Sequence, residues 1–205
     1  MFSNNVLAKI VDSVTKFPDR NAFLIHEVFY TYDEFWERIS IIRAGIRQKE
    51  TDHKILGIVA HDDMETYASI FAVWMEGLAY VPLHPKQPME RNLEIVEQAG
   101  IQKVLDANLE SDYSNNLVVK TKTFDANQKI TELLSIDENA LAYILFTSGS
   151  TGKPKGVQIS RANVGAFMDA FMQTGFEVTE TDKGLQCFDL TFDVSVQSFN
   201  RKSVV

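Results

Sequence analysis

Among 205 residues there is a single cysteine, Cys187, so no disulfide can form within the chain and no cysteine-based zinc site can be assembled. A reducing, cytoplasmic setting is the expectation that follows. Positive charge is also short: 20 Lys and Arg against 28 Asp and Glu leave a net charge of −8. Without a broad basic field there is nothing to draw in nucleic acid or an anionic membrane, and any anionic ligand must be held by a local site. Long apolar runs are missing too. The most apolar stretch, 67–83, is broken by Ser69, Glu76, Gly77 and Pro82, short of the ~18 uninterrupted residues of a membrane span. Lys9, Asp12 and Lys16 break up the N-terminal stretch in the same way and exclude a signal-peptide core.

What is present is an ordinary globular composition, 45% hydrophobic, 11% aromatic and 23% charged, well away from disordered chains. The length allows one large domain or two small ones. Helical and strand patterns alternate along it. Val6, Leu7, Ile10, Val11 and Val14 form a helical stripe stopped by Phe17-Pro18-Asp19-Arg20. Short strands at 22–25 and 28–30 flank His26-Glu27. Thr31-Tyr32-Asp33-Glu34 then reads as a capping box, opening a helix with Phe35, Trp36, Ile39, Ile42 and Ile46 on one face. Residues 55–60 read as a buried strand, Tyr67, Ile70, Phe71, Trp74 and Met75 as a crossover helix, and Ala79-Tyr80-Val81 as the next strand. A helix over 89–99 stops at Gly100, and short strands follow at 103–105 and 117–119. The connections 106–116 and 121–139 are not low-complexity, so no domain boundary falls in them. Strands at 141–147 and 156–159 precede a helix capped by Ser160, with Val164, Phe167, Met168, Phe171 and Met172 on its face and Gly175 as its stop. The pattern predicts an α/β fold of buried strands flanked by helices.

The strand at 141–147 runs directly into Thr147-Ser148-Gly149-Ser150-Thr151-Gly152-Lys153-Pro154-Lys155-Gly156, ten residues with three glycines, four hydroxyls and two lysines. Glycines let backbone N–H groups approach a ligand, hydroxyls donate further hydrogen bonds, and lysines add charge without demanding one geometry. This is the chemistry of a polyphosphate cradle. It is not a Walker loop, because the residue five after Gly149 is Pro154 and the residue five after Gly152 is Val157. A dinucleotide fingerprint also fails, since Thr151 stands two after Gly149. The plainer reading is a flexible loop joining two strands; two lysines around a proline just after a buried strand favour the binding one.

The run LAYILFTSGSTGKPKGV resembles the signature of the adenylate-forming, or AMP-binding, superfamily, which includes amino-acid-activating domains of nonribosomal peptide synthetases, D-alanine:carrier-protein ligases and acyl-CoA synthetases. Three further segments agree in order. Phe29-Tyr30-Thr31-Tyr32-Asp33-Glu34-Phe35 is similar to the family's early Leu-Thr-Tyr-x-Glu-Leu element. Gly77-Leu78-Ala79-Tyr80-Val81-Pro82-Leu83-His84-Pro85, with Arg91 downstream, is similar to Gly-Ala-Ala-Tyr-Val-Pro-Leu-Asp-Pro, with His84 in place of the usual Asp. Leu190-Thr191-Phe192-Asp193-Val194-Ser195 is similar to the Phe-Asp-x-Ser element of amino-acid-activating members. The resemblance covers about 17–199 and implies the front portion of the large N-terminal domain of that fold. Residues 1–199 are expected to be an incomplete N-terminal part of an adenylation domain, and the polar tail 200–205 to depart from the family pattern, as a truncation or frame shift would.

The resemblance implies ATP-dependent activation of an amino-acid carboxylate as an aminoacyl-adenylate, for transfer to a carrier-protein thiol on a phosphopantetheine arm. ATP phosphates would be bound by Thr147, Ser148, Gly149, Ser150, Thr151, Gly152, Lys153 and Lys155. Mg²⁺ would bridge phosphate oxygens, with its acidic ligand later than residue 205. Asp193 would pair with the substrate's α-ammonium; alternatively it is a helix-opening carboxylate ahead of Val194, Val196 and Phe199. The family's later adenine- and ribose-binding elements and its C-terminal catalytic lysine are not among these residues, so an inactive fragment is expected. An acyl- or aryl-acid ligase of the same superfamily and a non-catalytic remnant that only binds nucleotide or a partner are the alternatives.

Outside these segments the residues read as structural. His26, His53, His61 and His84 share no ligand spacing, and Asp62-Asp63 reads as a turn after a strand. Cys187 is expected to pack in a strand; Trp36, Trp74, Met168 and Met172 are expected in the core.

Overall fold

The central strands are buried at nearly every position, so the sheet they form is covered on both faces. The computed structural model describes residues 2–49, 53–148, 153–175, 179 and 182–196. A π-helical turn, Ser3–Leu7, leads into α1 (Ala8–Lys16). The first turn is held by Glu138, whose carboxylate accepts the Phe2 and Ser3 N–H groups at 2.7 and 3.0 Å. An antiparallel hairpin of β1 (Asn21–Ile25) and β2 (Val28–Thr31) precedes α2 (Tyr32–Gln48). The capping box is formed at Thr31, with Glu34 N–H donating to Thr31 Oγ1 and Thr31 N–H to Glu34.

Next come β3 (Ile55–Val59), α3 (Met64–Met75), β4 (Ala79–Leu83), α4 (Met89–Gln98), β5 (Val104–Asp106) and β6 (Val118–Lys120). They are followed by β7 (Leu141–Ser148), β8 (Pro154–Ser160) and α5 (Arg161–Met172). Among the described residues the main sheet has the order β6-β5-β3-β4-β7-β8, parallel throughout except for β8, which is antiparallel to β7.

Leu56, Ile58, Tyr80, Leu105, Val119 and Leu145 face one core, shared with α1, α2, α3 and α5. Val59, Val81, Leu83, Val104, Val118 and Ile144 face the other, under α4. Gly57 lies within β3 because a Cβ there would come within 2.9 Å of Val104 and 3.1 Å of Leu83. On the first face Trp74 is fully buried, its indole N–H donating to the Ala142 carbonyl at 2.9 Å. α2 and α3 are joined by buried charge: Glu76 accepts from the fully buried Arg43 at 2.7 Å and from Arg47 at 2.6 Å. The other Arg43 nitrogens donate to the Ile130 and Glu132 carbonyls, which leaves little of its desolvation uncompensated.

Some expectations are corrected. Cys187 is exposed and lies in no strand; the stretch around it has irregular backbone, with Leu185 82% exposed. Met168 is buried but Met172, one turn further along α5, is exposed, because only the first turns of α5 reach the sheet. Trp36 is half-buried against the core edge.

Candidate functional site

The parallel strands β3, β4, β5 and β7 all point their carboxyl ends to the same edge of the sheet, the edge at which open α/β sheets bind ligands. His61 follows β3, His84 follows β4, Asp106 ends β5, and Thr147 and Ser148 end β7. Because β8 runs antiparallel, it brings Lys155 to that edge as well. Thr147 pairs across the antiparallel ladder with Lys155 and Ser148 with Pro154, so these four residues meet at that edge. Thr147, Ser148, Lys153 and Lys155 are all exposed there. Gly149, Ser150, Thr151 and Gly152 lie outside the described residues. Further along β8, a Cβ on Gly156 would meet the Ile144 and Phe146 side chains at 3.0 Å, so glycine there leaves room for those side chains to lie across the strand.

Asp193 opens a helical turn over 193–196, and its Oδ1 accepts the Val194 N–H at 2.9 Å. The carboxylate is exposed, whereas its neighbours Leu190, Ser195 and Val196 are buried and anchor the turn against the first core. The helix-opening geometry is therefore present. Burial, and secondarily the charge of Asp193, pushes the Tyr143 phenol on β7 up to about 12, so the carboxylate lies within electrostatic reach of that strand. Tyr143 and Tyr80 on β4 lie ring to ring at 5.7 Å. Two exposed lysines and two hydroxyls thus stand at the end of β7 as donors for anionic oxygen, and one carboxylate stands beside the same strand as an acceptor for a cation.

Two pairs at this edge were not legible from spacing. His61 Nε2 lies 3.0 Å from Asp106 Oδ1, and Asp106 also accepts from Ser111 Oγ at 2.6 Å and from the Asn108 N–H at 2.9 Å. The Asp106 hydrogen bond raises the His61 pKa against the opposing effect of burial. Burial pushes Asp106 up, but the hydrogen bonds from His61, Ser111 and Asn108 outweigh it and hold the carboxyl below its ordinary value. The second pair, His84 and Asp189, is separated by 2.8 Å. Partners more than 40 residues apart give no local signal; only the substitution at His84 marks that position as unusual. The Asp62-Asp63 turn has a structural role, with Asp63 capping α3 through the Thr66 N–H at 2.8 Å.

The family described as AMP-binding enzyme matches residues 10–200. The nonribosomal peptide synthetase agiA of Aspergillus flavus is 33% identical over 211 residues, covering 94% of this chain and 3% of that protein. The D-alanine–D-alanyl carrier protein ligase of Bacillus velezensis is 28% identical over 199 residues, covering 92% of this chain and 39% of that protein. Among solved structures, the nonribosomal peptide synthetase FmoA3 in its alpha-methyl-L-serine-AMP bound form matches with a TM-score of 0.82 at 25% identity, over 96% of this chain and 22% of that one. The N-terminal subdomain of NpsA from Klebsiella oxytoca matches in fold with a TM-score of 0.78 at 24% identity, over 96% of this chain and 52% of that one. The chain therefore spans well under half the length of these curated relatives. With all the strands of the described residues and both flanks of the lysine-bearing hairpin inside the matched region, the chain belongs to the AMP-binding enzyme family of adenylate-forming ligases, and its fold is the front portion of their large N-terminal domain.

Proposed function

We propose that the chain is the N-terminal part, residues 1–199, of an adenylation domain that activates an amino-acid carboxylate with ATP and passes the acyl group to a carrier-protein thiol. The observation that carries this reading is the β7–β8 hairpin, which presents Thr147, Ser148, Lys153 and Lys155 together at the carboxyl edge of the parallel sheet. In the reaction a substrate carboxylate oxygen attacks the α-phosphorus, the bond to the bridging oxygen breaks, and pyrophosphate leaves with the electron pair. The hairpin's donors would hold the β and γ phosphates and offset the charge that accumulates there. Gly149, Ser150, Thr151 and Gly152 belong to the same proposed cradle. Asp193 would pair with the α-ammonium; support comes from the FmoA3 relative, which was solved with an amino-acid adenylate. Among the described residues no three histidine, cysteine or acidic side chains group as a metal site.

Residues 1–205 alone are expected not to catalyse amino-acid-dependent exchange of pyrophosphate into ATP, because the relatives carry most of their length beyond the matched region. Robust exchange by the purified chain would contradict this. In a chain extended with a relative's second half, two variants separate the assigned roles. Lys155→Ala should weaken ATP and depress turnover with every substrate, by roughly tenfold or more for one charge-assisted contact of ~1.5 to 3 kcal/mol. Asp193→Ala should raise the amino-acid KM by a comparable factor, leave ATP affinity nearly intact, and reduce discrimination against the acid lacking the amino group. If Asp193→Ala impaired both acids equally and lowered Tm, Asp193 would be a helix-opening residue only.

A further inference from the structure

The departure from the family pattern at His84 has a partner elsewhere in the fold. The Lys86 N–H donates to His84 Nδ1 at 3.0 Å, which makes Nδ1 an acceptor and leaves the ring proton on Nε2. Nε2 lies 2.8 Å from Asp189 Oδ2, and both side chains are only partly exposed. The remaining acceptors of Asp189 build the turn that follows. Its Oδ1 accepts the Thr191 N–H at 2.8 Å and the Thr191 hydroxyl at 2.7 Å, and its carbonyl accepts the Phe192 N–H at 3.0 Å. The Phe192 carbonyl in turn accepts the Ser195 N–H at 3.1 Å and the Ser195 hydroxyl at 2.6 Å. Leu190 and Val196 tie the two ends of this segment into the core, and Phe192, Asp193 and Val194 between them are exposed.

We propose that His84 and Asp189 are a positioning pair, fixing the 189–195 turn, and with it the Asp193 carboxylate, to the carboxyl end of β4. The consequence for substrate binding rests on the assignment of Asp193 to an α-ammonium; the pair itself does not. An Asp at 84 is too short to reach Asp189, offers it no donor, and brings a second carboxylate near the first. The histidine at 84 and the carboxylate at 189 therefore form a matched donor and acceptor.

The test uses the 205-residue chain. Imidazole ¹⁵N spectra of histidine-labelled protein should show His84 as the Nε2–H tautomer, its signal identified by its loss in His84→Gln. Amide exchange, read by mass spectrometry on peptides spanning 182–196, should accelerate about tenfold or more in His84→Asp, in line with loss of a hydrogen bond to a charged group. His84→Gln, which keeps a donor toward Asp189 and leaves the Asp189–Thr191 bonds in place, should retain most of the protection. An Nδ1–H tautomer, unchanged protection in His84→Asp, or a His84→Gln variant no better protected than His84→Asp would each overturn the proposal. Asp193→Asn keeps the pair and should leave both signals unchanged; a loss of protection there would also count against it. If Asp193→Asn left amino-acid affinity of the extended enzyme untouched while both signals stood, the substrate assignment would fail and the pair would survive.

Discussion

At the residue scale, the His61–Asp106 pair makes stability depend on pH in a direction that can be worked out. His61 has a raised pKa in the folded chain, so its contribution is complete below the ordinary histidine value of ~6.5 and is lost as pH rises through the raised value. Asp106 has a lowered pKa, so its contribution is present above the ordinary carboxylate value of ~3.9 and is lost as pH falls through the lowered one. Together they contribute most between roughly pH 4 and 6.5. Thermal melts at pH 5.5 and 8 should show the parent losing stability at the higher pH and His61→Gln losing distinctly less. Equal pH dependence in the two would show that the pair is not coupled to folding. Sequence reading singles out Lys155 and Asp193 as candidates because each sits in a compact motif whose chemistry is local. It could not identify His61, Asp106, His84 or Asp189 as pairs, because the partners lie on separate elements and meet only when the carboxyl ends of β3, β4 and β5 are brought to one edge.

At the element scale, most boundaries followed from local rules. The capping boxes at Thr31 and Ser160, the stop at Gly100 with φ +64°, and the two-residue connection of β1 to β2 are all formed. That connection is costly, however, because His26 and Glu27 both take left-handed φ values, +48° and +65°. Such a turn suits the right-handed twist of a hairpin but favours Asn and Gly. His26→Asn with Glu27→Gly should therefore stabilise the chain by about 1 kcal/mol, seen as a raised Tm in thermal denaturation; an unchanged or lowered Tm would mean that the local backbone relaxes at no cost. Cys187 was misread because an apolar neighbourhood on paper, Leu185 to Phe188, has no strand to pair with among the described residues and stays exposed. Met172 was misread because a helical stripe shows which face is apolar, not how many of its turns reach the sheet.

At the scale of the whole molecule, the doubly covered parallel sheet explains why one edge collects so much chemistry. The carboxyl ends of its strands carry the connections, and β8 folds back to add a lysine that a parallel strand would have sent to the opposite edge. The α/β class and the parallel core were legible because buried parallel strands read as continuous apolar runs. The order β6-β5-β3-β4-β7-β8 was not, since pattern alone does not say on which side of β3 the chain returns after α4. The central claim is that the β7–β8 hairpin is a polyphosphate cradle, and amide chemical shifts followed by NMR during titration of the 205-residue chain test it most directly. ATP and inorganic pyrophosphate should both shift the resonances of 147–155, AMP should shift them far less, and Lys153→Ala with Lys155→Ala should abolish the effect without altering spectra elsewhere in the sheet. Shifts confined to other parts of the molecule, or equal responses in the parent and the double variant, would contradict the account.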